Sequence, residues 1–330
     1  MISQRFTRIF ASFLVATVLL YLVSRFLIFW HDFPSLSETI LGAFSSDESN
    51  ALEGNKLYQG LAMILMYVIT FIFICISVSK TSDRTLTEDA IKYQNLVYFI
   101  IRAAFWSVFL IGVADAIISL LRVEEVLVQL VGEETAQLLD QSTKRGLYVH
   151  YPLMVLSLVI AFFTRSLGFI WLAFLVVLSE FTIVITRFIF SYEQAWMGDL
   201  VRFWYAAFFL FASAFTLVDN GHVRVDVLYS QITNKKKALV NALGSLLLGL
   251  PVCWTILHYG MGSKTSSLAA PILSFETSAS GYGMYIKYLM AAFLIVFAVS
   301  MAIIFVSYFL KSCAFLFGEK DAELPMGGEH

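Results

Sequence analysis

Charged residues are scarce in this sequence. Asp, Glu, Lys and Arg make up 14% of its 330 residues, whereas roughly a quarter of the residues in a soluble domain are charged. Hydrophobic residues account for 59%, 31 of them Phe, and the mean hydropathy is +0.79. This composition excludes an ordinary soluble domain and indicates a protein that lies within a lipid bilayer.

Cysteine and catalytic motifs are also scarce. The chain has only Cys75, Cys253 and Cys313, and no two of them have the spacing of metal ligands or suggest a disulfide framework. The phosphate-binding pattern G-x-x-x-x-G-K-[ST] does not occur, so nothing points to ATP hydrolysis. We therefore expect no catalytic residues, no metal, no cofactor and no nucleic-acid partner, and we predict that the protein is not an enzyme.

The apolar runs predict an all-α integral membrane protein with about eight transmembrane helices. A helix needs about 20 apolar residues to cross a bilayer. Arg5 and Arg8 precede the first run as they would in a secretory signal, but the run is too long for one and we expect it to be retained. The eight predicted spans are 10–30, 58–79, 97–121, 147–163, 168–190, 200–218, 238–259 and 288–310.

The distribution of basic residues predicts the orientation of these spans. Lys and Arg collect on the cytoplasmic side of membrane proteins. With the N-terminus inside, the inner connections carry about twice as many of them as the outer ones. We therefore expect the N-terminus and the C-terminus to be cytoplasmic.

The second outer connection contains an apolar stripe that predicts one short surface helix, whose acidic face is either solvated or contacts a partner. The stripe comprises Val123, Leu127, Leu130, Val131 and Leu138.

Prolines inside the spans are few. Only Pro152 and Pro251 lie within spans, which does not resemble the paired broken helices of proteins that hold a solute in mid-membrane. Gly244 and Gly249 are predicted to be helix-packing residues.

The stretch D-N-G-H-V-R-V-D-V-L-Y, residues 219–229, is unusually polar between two spans. A strand would place its valines on one face, but a lone strand beside lipid leaves backbone groups unpaired. A short interfacial helix entered through Asn220-Gly221 places His222 and Asp226 on one face. We prefer the helix.

The same stretch resembles the signature of the DctQ-type small membrane subunit of tripartite ATP-independent periplasmic (TRAP) transporters. Further similar phrases follow the family order; they are Arg187-Phe188, Trp196-Met-Gly-Asp199-Leu, Lys236-Lys237-Ala238 with Pro251, Phe275-Glu276-Thr277-Ser278, and Tyr285-Ile286-Lys287. Asp199 stands where the family usually has Glu, which keeps the charge but shortens its reach. The resemblance divides the sequence into an additional N-terminal membrane region of about four helices (1–163), a DctQ-like four-helix core (164–318) and a cytoplasmic tail (319–330).

The resemblance implies a transport component of the bacterial inner membrane. In this family a periplasmic DctP-type protein captures an organic anion, a carboxylate or sulfonate. A large DctM-type membrane subunit moves the anion using a sodium gradient. The small subunit supports the large one, borders lipids and contributes to the surface on which the binding protein docks. By this analogy the chain is a scaffold that carries no substrate itself.

Two sets of residues are candidates for function. The first set is predicted to act in assembly or partner contact, with a clasp between helix ends as the alternative for some members: His222, Arg224, Asp226, Arg187, Trp196, Asp199, Arg202 and Glu276. We also expect Arg187 to join Asp199 and Arg202 across the hairpin between the fifth and sixth spans. The second set consists of Glu180 and Asp115, which are acidic residues within spans. Such groups either handle ions or pair with a polar group on a neighbouring helix or subunit.

A different class of protein is the alternative function. His150 and His258 both lie near predicted outer span ends, where they could serve as the axial ligands of a b-type haem in the membrane anchor of an oxidoreductase.

Overall fold

The computed structural model describes residues 2–44, 54–218, 229, 231–278, 281–320 and 322, and its regular elements are helical. In chain order they are α1 Ile2–His31, α2 Leu36–Phe44, α3 Asn55–Lys80, α4 Leu86–Val123, α5 Leu127–Val131, α6 Glu133–Leu139, α7 Ser142–Arg145, the π-helical turn Gly146–His150, α8 Tyr151–Phe163, α9 Phe169–Phe190, α10 Ala195–Val218, α11 Asn234–Gly244, the π-helical turn Ser245–Gly249, α12 Leu250–Met261, α13 Ala269–Ser274 and α14 Lys287–Phe317.

The all-α membrane fold is confirmed. Within the described residues, eight helical segments are long and apolar enough to cross a bilayer, and they coincide with the eight predicted spans. Two of these segments combine shorter helices, since α7 continues through a π turn into α8, and α11 continues likewise into α12. The third segment exceeds its predicted length most, because hydropathy alone does not detect the polar first turns of α4, which lie outside the apolar run.

The first residue of α4 is set by a capping box. The Thr85 hydroxyl accepts a hydrogen bond from the backbone N–H of Glu88 (3.1 Å), and the Glu88 carboxylate accepts one from the N–H of Thr85 (3.2 Å). These two bonds satisfy N–H groups that have no partner inside the helix. The same reciprocal pair between Ser35 and Glu38 begins α2. The T-x-x-E and S-x-x-E spacings thus encode the helix starts.

The prediction of a single surface helix between the third and fourth spans is wrong, because the structure has two short helices, α5 and α6, in this connection. Gly132 adopts a φ of 81° and separates α5 from α6. Leu127 is buried, but Leu130, Val131 and Leu138 are exposed, so the predicted stripe does not form one packed face. A glycine reaches positive φ without the steric cost of a side chain, which explains why the break falls there.

Both prolines within spans follow a widened turn. Gly146–His150 ends two residues before Pro152, and Ser245–Gly249 ends two residues before Pro251. A proline in a helix lacks the N–H that would bond to the carbonyl four residues earlier, and its ring clashes with that carbonyl. A π turn, with its i to i+5 bonding, moves the carbonyl away. The prolines therefore change the local winding and leave the spans continuous.

The chain forms two compact units. Unit 1 comprises residues 1–93, 224–251 and 305–330, and unit 2 comprises 94–223 and 252–304. Polar side chains join distant segments of unit 1. Buried Arg8 donates from Nε to Asp89 (2.7 Å) and from Nη1 to the carbonyl of Thr81 (2.6 Å). The Ser307 hydroxyl donates to the carbonyl of Ala90 (2.9 Å).

The two glycines predicted to pack helices differ in their surroundings. A Cβ added to Gly249 would lie 2.6–2.7 Å from ring atoms of Phe305, whereas one added to Gly244 would meet nothing within 4 Å. We expect Gly249→Ala to destabilise the protein by about 1–3 kcal/mol through overpacking. Gly244→Ala should be neutral or slightly stabilising, because alanine favours helix. Thermal unfolding of the two purified variants tests this, and equal midpoints would contradict the assignment.

Candidate functional site

Asp115 is the centre of a fully buried polar cluster in unit 2. It lies on α4 and has no exposed surface. Its Oδ1 accepts hydrogen bonds from Arg145 Nη1 (3.0 Å) and His150 Nε2 (3.2 Å). Its Oδ2 accepts one from the backbone N–H of Tyr285 (2.9 Å). A buried carboxylate is costly unless it is paired and hydrogen-bonded, and both conditions are met here.

The π turn explains how Arg145 and His150 reach the same carboxylate. Residues five apart on an α-helix point about 140° away from each other. A π turn bonds each residue to the fifth one along, which brings such residues to the same side. Arg145 immediately precedes the turn Gly146–His150, and His150 ends it. Pro152, by favouring the wide turn, therefore also sets the direction of both partners of Asp115.

Arg145 is the cation that neutralises Asp115. The side chain is completely buried, and its Nε donates to the carbonyl of Leu139 (2.7 Å). Its guanidinium carbon lies 4.0 Å from the centre of the Tyr285 ring, whose face attracts a cation. Ser119, one turn after Asp115 on α4, accepts a further bond from Nη1 (3.3 Å). The arginine thus joins α4 to the segment before α8.

His150 is held at both ring nitrogens. Nε2 donates to Asp115, while Nδ1 lies 2.7 Å from the hydroxyl of Tyr288, which donates to it in the neutral ring. An axial haem ligand needs a free ring nitrogen, which His150 does not offer. His258 is exposed, so the geometry does not fit the haem-binding alternative. Within the described residues, no three His, Cys, Asp or Glu side chains gather as metal ligands.

Two carboxylates from different helices hold one loop, residues 281–286. Asp199 on α10 accepts a hydrogen bond from the N–H of Met284 (3.1 Å), and Asp115 accepts the next N–H along the chain. On the same loop, Arg122 Nη2 donates to the carbonyls of Gly281 (3.2 Å) and Gly283 (2.8 Å). We call residues 281–286 with these partners the pinned loop. The shorter reach of Asp199 relative to glutamate suits this backbone contact.

The candidates near the α9–α10 hairpin form separate pairs. Arg202 Nη2 lies 3.6 Å from Asp199, whereas Arg187 pairs with Glu193 (3.4 Å), and both of the latter are exposed. The structure does not bring Arg187 to Asp199. On this hairpin, the Tyr192 hydroxyl donates to Glu124 (2.6 Å). Burial, and then this carboxylate, raise the pKa of Tyr192, so the phenol stays protonated as a donor.

The remaining candidates lie in different settings. Glu276 accepts a hydrogen bond from Lys287 Nζ (2.5 Å), and Trp196 is half-buried at the start of α10. Glu180 is exposed near the middle of α9, and no side chain in the described part of the chain pairs with it. His222, Arg224 and Asp226, with the short helix predicted for them, lie outside the described residues.

Sequence reasoning missed Arg145, Tyr288 and the pinned loop. Arg145 lies just before the fourth predicted span, which begins at residue 147. The structure extends that span to Ser142. The signal that could have identified the arginine is Asp115 itself, since an acidic residue within a span requires a partner.

The fold defines a polytopic α-helical membrane protein, and the cluster joins α4 to the segment before α8 and to the pinned loop through buried charges. Residues 175–314, from α9 into α14, match the family described as tripartite ATP-independent periplasmic transporters, DctQ component. Over these residues the chain is similar to the DctQ family, a family of transporter components. No curated protein and no solved structure shows significant similarity to the chain.

Proposed function

We propose that this chain is the small, scaffolding membrane subunit of a TRAP transporter in the bacterial inner membrane. It supports a DctM-type large subunit that takes up an organic anion, a carboxylate or sulfonate, using a sodium gradient and a DctP-type binding protein. The observation that carries this proposal is the DctQ match across α9 to α14. The buried cluster supports the scaffold role, because the carboxylate of Asp115 is hydrogen-bonded to both Arg145 and His150 of the same chain.

The surface of α9 is where we place the large subunit. This span is the least buried of the eight in the described chain, and only Leu172 and Ser179 on it are buried. Glu180 lies among exposed apolar side chains such as Val177 and Phe181. A carboxylate facing lipid is costly, so a hydrogen-bond donor or a cation on the partner would stabilise it.

The pinned loop provides a candidate surface for the periplasmic binding protein. Tyr282 on this loop is 64% exposed, while the adjacent backbone is held by Asp199, Asp115 and Arg122. A surface whose backbone is already fixed loses little conformational entropy when a partner binds. The predicted orientation places this loop on the outer side.

The test is to solubilise the tagged chain from its native membrane and quantify the large polytopic subunit that copurifies. We expect recovery of that subunit to fall at least about fivefold in Glu180→Leu, because a charge-assisted contact is worth about 1.5–3 kcal/mol. Recovery should be unchanged in Thr182→Leu, which alters an exposed residue on the other side of the same helix. Arg224→Gln, read in the same assay, tests the proposed assembly role of His222, Arg224 and Asp226.

The outcomes distinguish the overall function from the docking face. Absence of any large partner, or a Soret absorption band in the purified chain, would overturn the transporter function. Normal recovery in Glu180→Leu, with the partner present in the wild type, would overturn only the assignment of the α9 surface.

A further inference from the structure

Unit 1 contains a cavity of about 230 Å³ at one set of helix ends. It lies between the first turns of α1, the connection from α3 to α4, and the residues just after α14. Three guanidinium groups and two carboxylates supply its charged lining, with polar side chains such as Gln4 and Ser82 beside them. The charged residues are Arg5, Arg8, Asp83, Arg84 and Glu319.

Two of these charged groups are already engaged in holding the fold. Arg8 is buried against Asp89 and Thr81. The carboxylate of Glu319 accepts hydrogen bonds from the N–H groups of Leu86 (3.0 Å) and Thr87 (3.3 Å), which begin α4. The side chains of Arg8 and Glu319 are therefore held in place by these bonds and line the cavity in fixed positions.

Arg5 and Arg84 are the uncommitted charges. Both are exposed, and neither side chain pairs with any residue in the described part of the chain. Asp83, the other exposed charged group, accepts a hydrogen bond from the Ser82 hydroxyl (3.4 Å). Two guanidinium groups converging on one cavity match the geometry of a phosphate, because the planar arginine fork donates paired hydrogen bonds to its oxygens.

The surroundings of the cavity favour a lipid over a soluble anion. The first residues of the α1 span border it, and Phe6, next to Arg5, is 69% exposed. The rings of Phe6 and Phe10 stack at 6.4 Å along the same helix. The exposed ring of Phe6, next to Arg5 in the chain, provides contact for an acyl chain below a bound headgroup. Basic pockets at span ends are typical binding sites for anionic lipid headgroups.

We propose that this cavity binds the phosphodiester headgroup of a monoanionic phospholipid such as phosphatidylglycerol. Arg5 and Arg84 donate to the phosphate oxygens, and Gln4 and Ser82 are placed to contact the headgroup hydroxyls. The carboxylates of Asp83 and Glu319 disfavour a dianionic ligand. The site lies in unit 1 and does not depend on the proposed transport function.

The experiment measures the affinity of the full chain, purified in a neutral detergent, for short-chain phosphatidylglycerol and for short-chain phosphatidylcholine. The test variant is Arg5→Gln/Arg84→Gln, which leaves Arg8 intact. The control variant is Arg165→Gln/Arg187→Gln, which removes two exposed arginines outside the cavity. Each basic residue near an anionic lipid contributes about a fivefold change in affinity, so we expect phosphatidylglycerol to bind roughly 25-fold more weakly to the test variant.

The result that supports the proposal is this loss in the test variant, unchanged affinity in the control, and no displacement by millimolar inorganic phosphate. Equal affinities for the two lipids, or equal losses in both variants, would overturn it. Binding of inorganic phosphate as tight as that of phosphatidylglycerol would also overturn it, since the cavity would then be a free-anion site.

Discussion

Replacing Asp115 by Ala should destabilise the protein by about 3–5 kcal/mol, because it leaves the buried Arg145 without its carboxylate. The same change removes the acceptors of His150 Nε2 and of the Tyr285 N–H. We expect a large drop in the midpoint of thermal unfolding in detergent. The pinned loop should also become more accessible to protease, since one of its two carboxylate contacts is lost.

A control variant and a double variant show whether the loss of stability comes from the unpaired buried Arg145 or from the removal of any acidic residue. Asp140→Ala removes an exposed carboxylate that lies 3.9 Å from Arg122 and should cost no more than about 1 kcal/mol. Asp115→Leu/Arg145→Met, which removes both charges, should recover much of the lost stability. If the double variant is less stable than Asp115→Ala, the unpaired arginine is not the cause.

Replacing Arg8 by Met should have an effect of similar size in unit 1. Arg8 is 3% exposed and its loss leaves Asp89 buried without a cation, at a cost of about 3–5 kcal/mol. It also removes two hydrogen bonds to Thr81, at the connection between α3 and α4. The measurement is again the thermal unfolding midpoint.

The matched control for Arg8 lies three residues earlier on the same helix. Arg5→Met removes an exposed arginine that has no partner in the described chain, and should change stability by less than about 0.5 kcal/mol. Equal effects of the two substitutions would mean that the charge of the first helix matters, rather than the pair between Arg8 and Asp89. Because residues 1–93 lie outside the DctQ match, this pair also tests whether the N-terminal region folds by its own contacts.

The spans could be predicted from sequence because a long apolar run has few alternatives in a bilayer. Their ends could not be predicted from hydropathy. The start of α4 at Leu86 depends on the capping box of Thr85 and Glu88, and the polar residues Lys92 and Gln94 hide it from a hydropathy window. The break at Gly132 required knowledge of its positive φ, which periodicity does not reveal.

The site could be predicted only in part. Asp115 is visible because an acidic residue within a span is rare. Its partners Arg145 and His150 lie 30 and 35 residues away along the chain, and their joint approach depends on a π turn. Pro152 is visible in the sequence, but the hydrophobic periodicity does not indicate whether the helix before it forms a π turn or a kink. Similarly, the contact between Asp199 and the Met284 N–H follows from tertiary packing.

The two π turns also determine where these spans tolerate a change in length. A π turn is equivalent to an α-helix with one residue inserted. Deleting one residue within Gly146–His150 would keep Arg145 and the residues of α8 in the same rotational phase. The same deletion inside α8 would rotate every later side chain by about 100° and turn its lipid-facing residues inward. Related chains should therefore differ by single-residue gaps at Gly146–His150 and Ser245–Gly249, and not elsewhere in those spans.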